Sequence, residues 1–491
     1  MQARASGILL PVFSLPGPYG IGTLGKPARQ FIDFLAAGGQ KFWQILPLVP
    51  PGGGNSPYMS PSSFAGNPLF LDLEELAEEG LLTVGELNAA RRDNPDRVDY
   101  AWLHETRMPL LRKAFERGRE KYAPQLKQFE GEEADWLPDY ALFMALHAHF
   151  DKELAQWPDE VRLRKPEAMV RCREEVGEEC AFQAFLQYLF FRQWKAVKTY
   201  ANSKGVSIIG DLPIYVSPDS AEVWGNPELF QLKEDMRPSC VAGVPPDAFT
   251  DKGQHWGNPL YDWAYHKKTS FAWWKRRGAH MARLYDVVRI DHFRAFHTYW
   301  SIPKGAKDAR EGHWEKGPGN DLLDVLKNVP GLALIAEDLG DLDADALAYI
   351  AQSGLPGMKV LVYAFDPVGE SAYLPHNCPR DAVMYTGTHD TPTFVQWLFN
   401  EANPDERQYA FDYLRLREDE GFGWGAICGA WMSPCRLAIA PFQDLLGLGG
   451  DARVNAPGTM GDQNWSWRVR ADALNPTVSG KLARITRTYR R

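Results

Sequence analysis

"YDVVRIDHFRA", residues 285–295, sets an arginine and an aspartate two positions apart at the end of a short, β-branched apolar run. Side chains alternate across a strand, so Arg289 and Asp291 share one side while Ile290 takes the other. A charged tip on an otherwise core-like run predicts a strand buried along its length that ends at a wet rim. A guanidinium so close lowers a carboxylate's pKa by roughly 1–3 units, which predicts an ionised Asp291. The competing reading is an ion pair that only ties the rim together.

Seven more runs of this kind occur along the chain: "SGILLPVF" (6–13), "QKFWQILPL" (40–48), "VSIIGDLPIYV" (206–216), "GLALIAEDLG" (331–340), "GMKVLVYAF" (357–365), "DAVMYTGTHD" (381–390) and "CRLAIAPFQDLL" (435–446). Helical patterns separate most of them. "AFQAFLQYLFFRQWKAVKTYANSKG" keeps Phe182, Phe185, Leu186, Leu189 and Val197 on one face, and "DADALAYIAQSG" opens on acids and closes at Gly354. Continuous apolar runs, eight times over and alternating with helices, predict an α/β fold: a (β/α)8 TIM barrel of buried parallel strands. A doubly wound open sheet is the alternative. The barrel is favoured by the count of eight and by charges at the C-terminal ends of the third, fourth, fifth and seventh runs, where barrel enzymes build their sites.

We read residues 1–491 as one catalytic barrel with two interruptions. Residues 72–180, between the second and third strands, carry charged amphipathic helices and predict a helical insertion. Residues 217–262, after the third strand, are rich in Pro, Gly and aromatics without a period and predict a long active-site loop.

The tips of the other runs add Asp211, Glu337, His389 and Asp390 to the Arg289 and Asp291 pair. Four acidic strand ends around one mouth repel each other unless the site needs them, and Arg289 is the one strand-end cation of these four runs. A metal cluster would call for histidines, but His147 and His149 lie in a helical pattern where i and i+2 diverge. No metal and no cofactor are expected: the phosphate-cradling motifs GxxxxGK[ST] and GxGxxG are missing from the places where they would matter. Glycosidic bond chemistry fits better, because it uses one carboxylate to attack the anomeric carbon and a second, of raised pKa, to protonate the leaving oxygen.

Composition agrees. The 17 Trp, 19 Tyr and 25 Phe offer flat faces that suit sugar rings. A net charge of −9 without a basic run argues against nucleic acid and anionic membranes, so the expected partner is a neutral ligand. Six cysteines without a CxxC pair read as reduced thiols, and neither a spanning segment nor a signal peptide is evident, which predicts a cytoplasmic protein.

"GDLPIYV", "RIDHFR", "AEDLG" and "GTHDT", in that order, together resemble the four signature regions of the amylomaltases, the 4-α-glucanotransferase or disproportionating family related to the α-amylases. "NSPYMSPSSFAGNPLF", "GNPLYDW" and "RVNAPGTMGDQNWSWRV" extend the likeness over nearly the whole chain. The resemblance implies a retaining double displacement on α-1,4-glucans, with a glucan donor and a glucose or maltooligosaccharide acceptor. Asp291 would be the nucleophile, Glu337 the general acid and then base, and Asp390 the stabiliser of the oxocarbenium-like transition state. Tyr58, Asp211, Trp256, Arg289, His389 and Asn464 would bind substrate. Ala295 stands where the family commonly has Gly and His297 where a carboxylate is often seen, so His297 is a place where a titration near neutrality could enter.

Transfer and hydrolysis share the covalent intermediate and differ in what takes it. The aromatic loop around Phe249 and Trp256 is the expected cover against water. The alternatives are an α-amylase-like retaining hydrolase and a non-catalytic glycan-binding barrel. The second would be expected to lack at least one of Asp291, Glu337 and Asp390, and all three are present.

Overall fold

Runs that are apolar on both faces need cover on both sides, and in the computed structural model, which describes residues 4–92, 96–246 and 250–491, they find it in a ring. Twelve strands occur among these residues: β1 (Ala5–Leu9), β2 (Phe42–Gln44), β3 (Ser207–Leu212), β4 (Cys240–Val244), β5 (Gln254–Pro259), β6 (Val287–Ile290), β7 (Thr298–Pro303), β8 (His313–Lys316), β9 (Ala333–Ala336), β10 (Gly357–Val360), β11 (Ala382–Tyr385) and β12 (Leu437–Pro441). Eight of them, one from each apolar run, pair in parallel in the order β10-β11-β12-β1-β2-β3-β6-β9. The Ala336 amide donates to the Pro356 carbonyl at 3.0 Å, which draws β9 toward β10 and brings the ring to near closure. This is the (β/α)8 barrel. Ile8, Trp43, Ile208, Val288, Ile335, Val383 and Ile439 are fully buried in and around it.

Strand β3 contains a glycine because nothing larger fits: a Cβ at Gly210 would lie 2.3 Å from the Tyr285 ring. The helix Gly177–Ser203 that leads into β3 buries Phe182, Phe185, Leu186, Leu189 and Val197, the stripe its periodicity predicts. The helix Ala344–Ser353 is capped by Asp343 and ends at Gly354, whose φ of 65° needs a residue without a side chain. The sixth run is a strand over only its first four residues; Leu361–Tyr363 turn into a short 3₁₀ segment that leads toward the mouth.

Between β2 and β3 the chain is helical, with Tyr100–Gly118, Ala123–Glu132 and Leu137–Phe150 as its longest members before the return helix. His147, on the last of these, bonds through Nε2 to Asp219 Oδ2 at 3.0 Å, and the Leu154 amide donates to Asp219 Oδ1 at 2.8 Å. These contacts tie the helices to the segment after β3. That segment is more regular than its sequence suggests. β4 and β5 join β7 and β8 in a four-stranded antiparallel sheet ordered β5-β4-β7-β8. Half of the sheet comes from residues beyond β6, so no local alternation announces it.

Candidate active site

Register places the charges. Asp211 of β3 lies opposite Arg289 of β6, and Arg289 opposite Ile335 of β9. Arg289 donates from Nε to Asp211 Oδ1 (3.0 Å), and from Nη2 to Asp211 Oδ2 (2.9 Å) and Asp291 Oδ1 (2.7 Å). The Tyr58 hydroxyl donates a hydrogen bond to Asp211 Oδ2 at 2.6 Å. His389 Nε2 lies 2.9 Å from the Tyr58 oxygen and 3.1 Å from Asp390 Oδ2. Tyr58 has one hydroxyl hydrogen and directs it at Asp211, and a carboxylate has none to give, so His389 Nε2 carries the hydrogen that faces both neighbours. Five expected site residues, Tyr58, Asp211, Arg289, His389 and Asp390, therefore form one chain of hydrogen bonds, and Asp291 branches from its cation.

The chain has a sealed end and an open one. The side chains of Asp211 and Arg289 are 1% and 4% exposed, whereas those of Asp291 and Asp390 are 28% and 41% exposed toward the mouth. Asp291 Oδ1 is held by Arg289, and Oδ2 has no hydrogen-bond donor among the described residues, which leaves it free for an incoming ligand.

Glu337 follows β9 and is held quite differently. Its Oε2 accepts from the His292 amide at 2.8 Å and its Oε1 from the Leu339 amide at 2.7 Å. The first bond is made with His292 in the left-handed conformation (φ 52°, ψ 51°), uncommon for residues other than Gly. No cation among the described residues touches Glu337. Burial and then the neighbouring Asp291 charge push its pKa up, with the more distant Arg289 pulling it back.

For Asp291 the outcome differs from the expectation built on Arg289 alone. Burial raises its pKa first, Arg289 lowers it, and Asp211 and Asp390 raise it again, so the net shift is upward. The guanidinium is shared with Asp211, to which it donates two of its three hydrogen bonds in the site. Both carboxyls of the pair are thus pushed upward, Asp291 with a guanidinium in contact and Glu337 with two amides. At Asp390 desolvation is outweighed by the His389 charge and hydrogen bond, by Asn455 and by Arg289, and the carboxyl is held at about 2.

Trp256, on β5, is half-buried with its ring 5.0 Å from that of His292 and 6.2 Å from that of Tyr215, at the edge of the mouth. Phe249 lies outside the described residues. Asn464 does not reach the carboxylates: its Oδ1 accepts from the Ala456 amide and its Nδ2 donates to Thr459 O and Oγ1, so every polar atom is used inside its own loop. The residue of that loop that does reach the site is Asn455, whose Nδ2 donates to Asp390 Oδ1 at 2.7 Å, and Arg453 caps the Asp390 carbonyl at 2.7 Å. Neither residue ends an apolar run, and the "RVN" spacing carries no sign of the contact. Trp465 packs beside Tyr58 and His389, with ring centroids at 5.6 and 6.1 Å. Ala295 is buried without a positive φ, so the missing glycine costs nothing, and His297 stacks on Tyr349 at 5.4 Å.

A parallel eight-stranded barrel whose strand ends gather a guanidinium-bound aspartate and a separate half-buried glutamate defines an enzyme of carboxylate-driven glycosidic bond chemistry. Comparison with known proteins narrows this. Residues 10–474 match the family described as 4-alpha-glucanotransferase. The chain is 44% identical over 484 residues to the 4-alpha-glucanotransferase of Clostridium butyricum, covering 98% of this chain and 99% of that one. With the Thermus thermophilus 4-alpha-glucanotransferase it shares 45% over 492 residues, covering 98% and 97%. The amylomaltase of Streptococcus agalactiae, solved with acarbose, superposes with a TM-score of 0.96 at 41% identity and 99% coverage of both chains. This chain belongs to the 4-α-glucanotransferase family.

Proposed function

We propose that the barrel mouth cleaves an α-1,4-glucan donor and passes the glycosyl segment to the 4-hydroxyl of glucose or a maltooligosaccharide through a covalent intermediate on Asp291. The observation that carries this reading is the contrast between two carboxylates on neighbouring strand ends: Asp291 fixed by a cation with one oxygen free, Glu337 fixed only by backbone amides with a raised pKa.

In the first step Asp291 Oδ2 attacks the anomeric carbon as the bond to the leaving 4-oxygen breaks, and Glu337 gives that oxygen its proton. The new ester removes the Asp291 charge. That charge is one of the causes holding the Glu337 pKa up, so the freshly ionised Glu337 becomes easier to keep ionised at the moment it must serve as a base. In the second step it takes the proton of the acceptor hydroxyl, whose oxygen attacks the anomeric carbon and releases Asp291. Asp390, ionised throughout, faces the cationic character that develops at the sugar ring, while His389 and Tyr58 stand ready for its hydroxyls. Transfer prevails over hydrolysis when a bound acceptor supplies a high effective molarity and water is kept out. The position of Trp256 over His292 supports a cover on that side.

Six free cysteines are in keeping with a reducing, cytoplasmic setting, and no helix among the described residues is long and apolar enough to cross a membrane. Incubation with maltotriose tests the proposal: longer oligomers together with glucose are expected, and glucose and maltose alone would refute it.

A further inference from the structure

The eighth apolar run also ends in an acid. Asp444 lies in the short helix Phe442–Leu446 directly after β12 and is 0% exposed. Its Oδ2 accepts from Thr386 Oγ1 at 2.6 Å and its Oδ1 from the Phe394 amide at 2.9 Å. Burial pushes its carboxyl up to about 6, with those two bonds pulling it back and no cation among the causes. A buried acid without a counter-ion is costly, and a core position has no need of one.

The two donors explain its presence. Thr386 and Phe394 are the two ends of the loop that follows β11 and carries His389 and Asp390. The loop's interior is cross-tied: the Thr388 amide donates to Thr391 Oγ1 at 2.8 Å, and the Asp390 amide to Thr388 Oγ1 at 3.2 Å. Its side is tied as well, by the Asn455 amide to the His389 carbonyl at 3.0 Å. Asp444 alone among these contacts joins one end of the loop to the other. We propose that Asp444 is a positioning residue that clamps the 386–394 loop at both ends and so sets where His389 and Asp390 stand against the sugar. The proposal rests on the roles given to those two residues above.

The test uses the full chain in three variants. Asp444→Asn can still accept from the Phe394 amide and can donate to Thr386 Oγ1, so kcat from maltotriose is expected within about 5-fold of the unmodified enzyme. Asp444→Leu keeps the branched shape, with somewhat bulkier ends, and leaves both donors unpaired. Displacing a catalytic group by about 1 Å can cost ~100-fold, and a fall in kcat of that order is expected at temperatures well below the variant's unfolding midpoint. Introduced into Asp390→Ala, Asp444→Leu should cost no more than about 10-fold further, because one of the two groups it positions is already gone and only His389 remains to be displaced. Amide exchange of the 386–394 segment should quicken in the Leu variant and not in the Asn variant. Unchanged exchange and an unchanged kcat in Asp444→Leu would overturn the proposal, and so would a full additional loss in the Asp390→Ala background. If Asp390→Ala itself kept full activity, the role of Asp390 would fall instead, and the exchange measurement would still decide whether Asp444 holds the loop.

Discussion

Asp291 and Glu337 sit at the ends of neighbouring strands, β6 and β9, yet the two regions of the mouth around them are built on opposite plans. On the β3 and β6 side a sealed guanidinium holds two carboxylates, and a tyrosine and a histidine carry the hydrogen bonds onward to a third. On the β9 side a lone carboxylate rests on two backbone amides. Both plans fix geometry to within a hydrogen bond. They differ in what opposes the rise of the pKa: a shared cation in direct contact restrains that of Asp291, while at Glu337 burial and its neighbour's charge are opposed by Arg289 without contact and by two amides.

The most severe way to test that division is to neutralise each acid in turn. Asp291→Asn removes the attacking oxygen, and kcat should fall by at least ~10⁴-fold with every substrate, because nothing else can form the intermediate. Glu337→Gln removes only a proton donor, a group worth about 10²–10⁴-fold. Its first step should recover with a maltosyl fluoride donor, whose leaving group needs no proton, as measured by a burst of fluoride. Recovery in Asp291→Asn in place of Glu337→Gln would reverse the two assignments.

A gentler change sharpens the other half of the comparison. His389→Ala takes from Asp390 a charge and a hydrogen bond that, with Asn455 and Arg289, outweigh its desolvation, so the carboxyl's pKa must rise from about 2. The ionised form is the useful one. The acid limb of kcat/KM should therefore move to higher pH, with a loss of roughly 10-fold that grows between about pH 6 and pH 4. An acid limb identical to that of the unmodified enzyme would show that the hydrogen-bond chain does not set the Asp390 charge.

What could be read without the structure follows the same physics. The eight barrel strands were legible because burial on both faces makes each an unbroken apolar run, and the alternation of a strand puts Arg289 beside Asp291 by geometry alone. The sheet of β4, β5, β7 and β8 was not, since β4, β5 and β7 carry Gly or Pro and the sheet pairs across β6. Electrostatics was legible only pairwise: the effect of Arg289 on Asp291 could be foreseen, but not that Asp211 shares the cation through the β3 and β6 register. Loops were the least legible part. Asn464 turns inward while Asn455, nine positions earlier, reaches Asp390, and no periodicity distinguishes the two. Asp444 stood in plain view at the end of the eighth run, yet its meaning lies in two donors fifty or more residues away.

The smallest expected effect concerns the rim between the two regions. Trp256 comes from β5, and its ring meets that of His292, the residue whose amide holds Glu337. The indole thus borders the side from which an acceptor hydroxyl, or water, must approach the base. Trp256→Ala removes apolar cover without touching any carboxylate or its hydrogen bonds, so kcat for consumption of maltotriose should change by no more than ~3-fold. The division of the intermediate should change more. With the acceptor less well held and water less well excluded, the ratio of hydrolysis to transfer should rise by about 3- to 10-fold, read as glucose released in excess of oligomers lengthened. An unchanged ratio would place the water barrier elsewhere on the mouth.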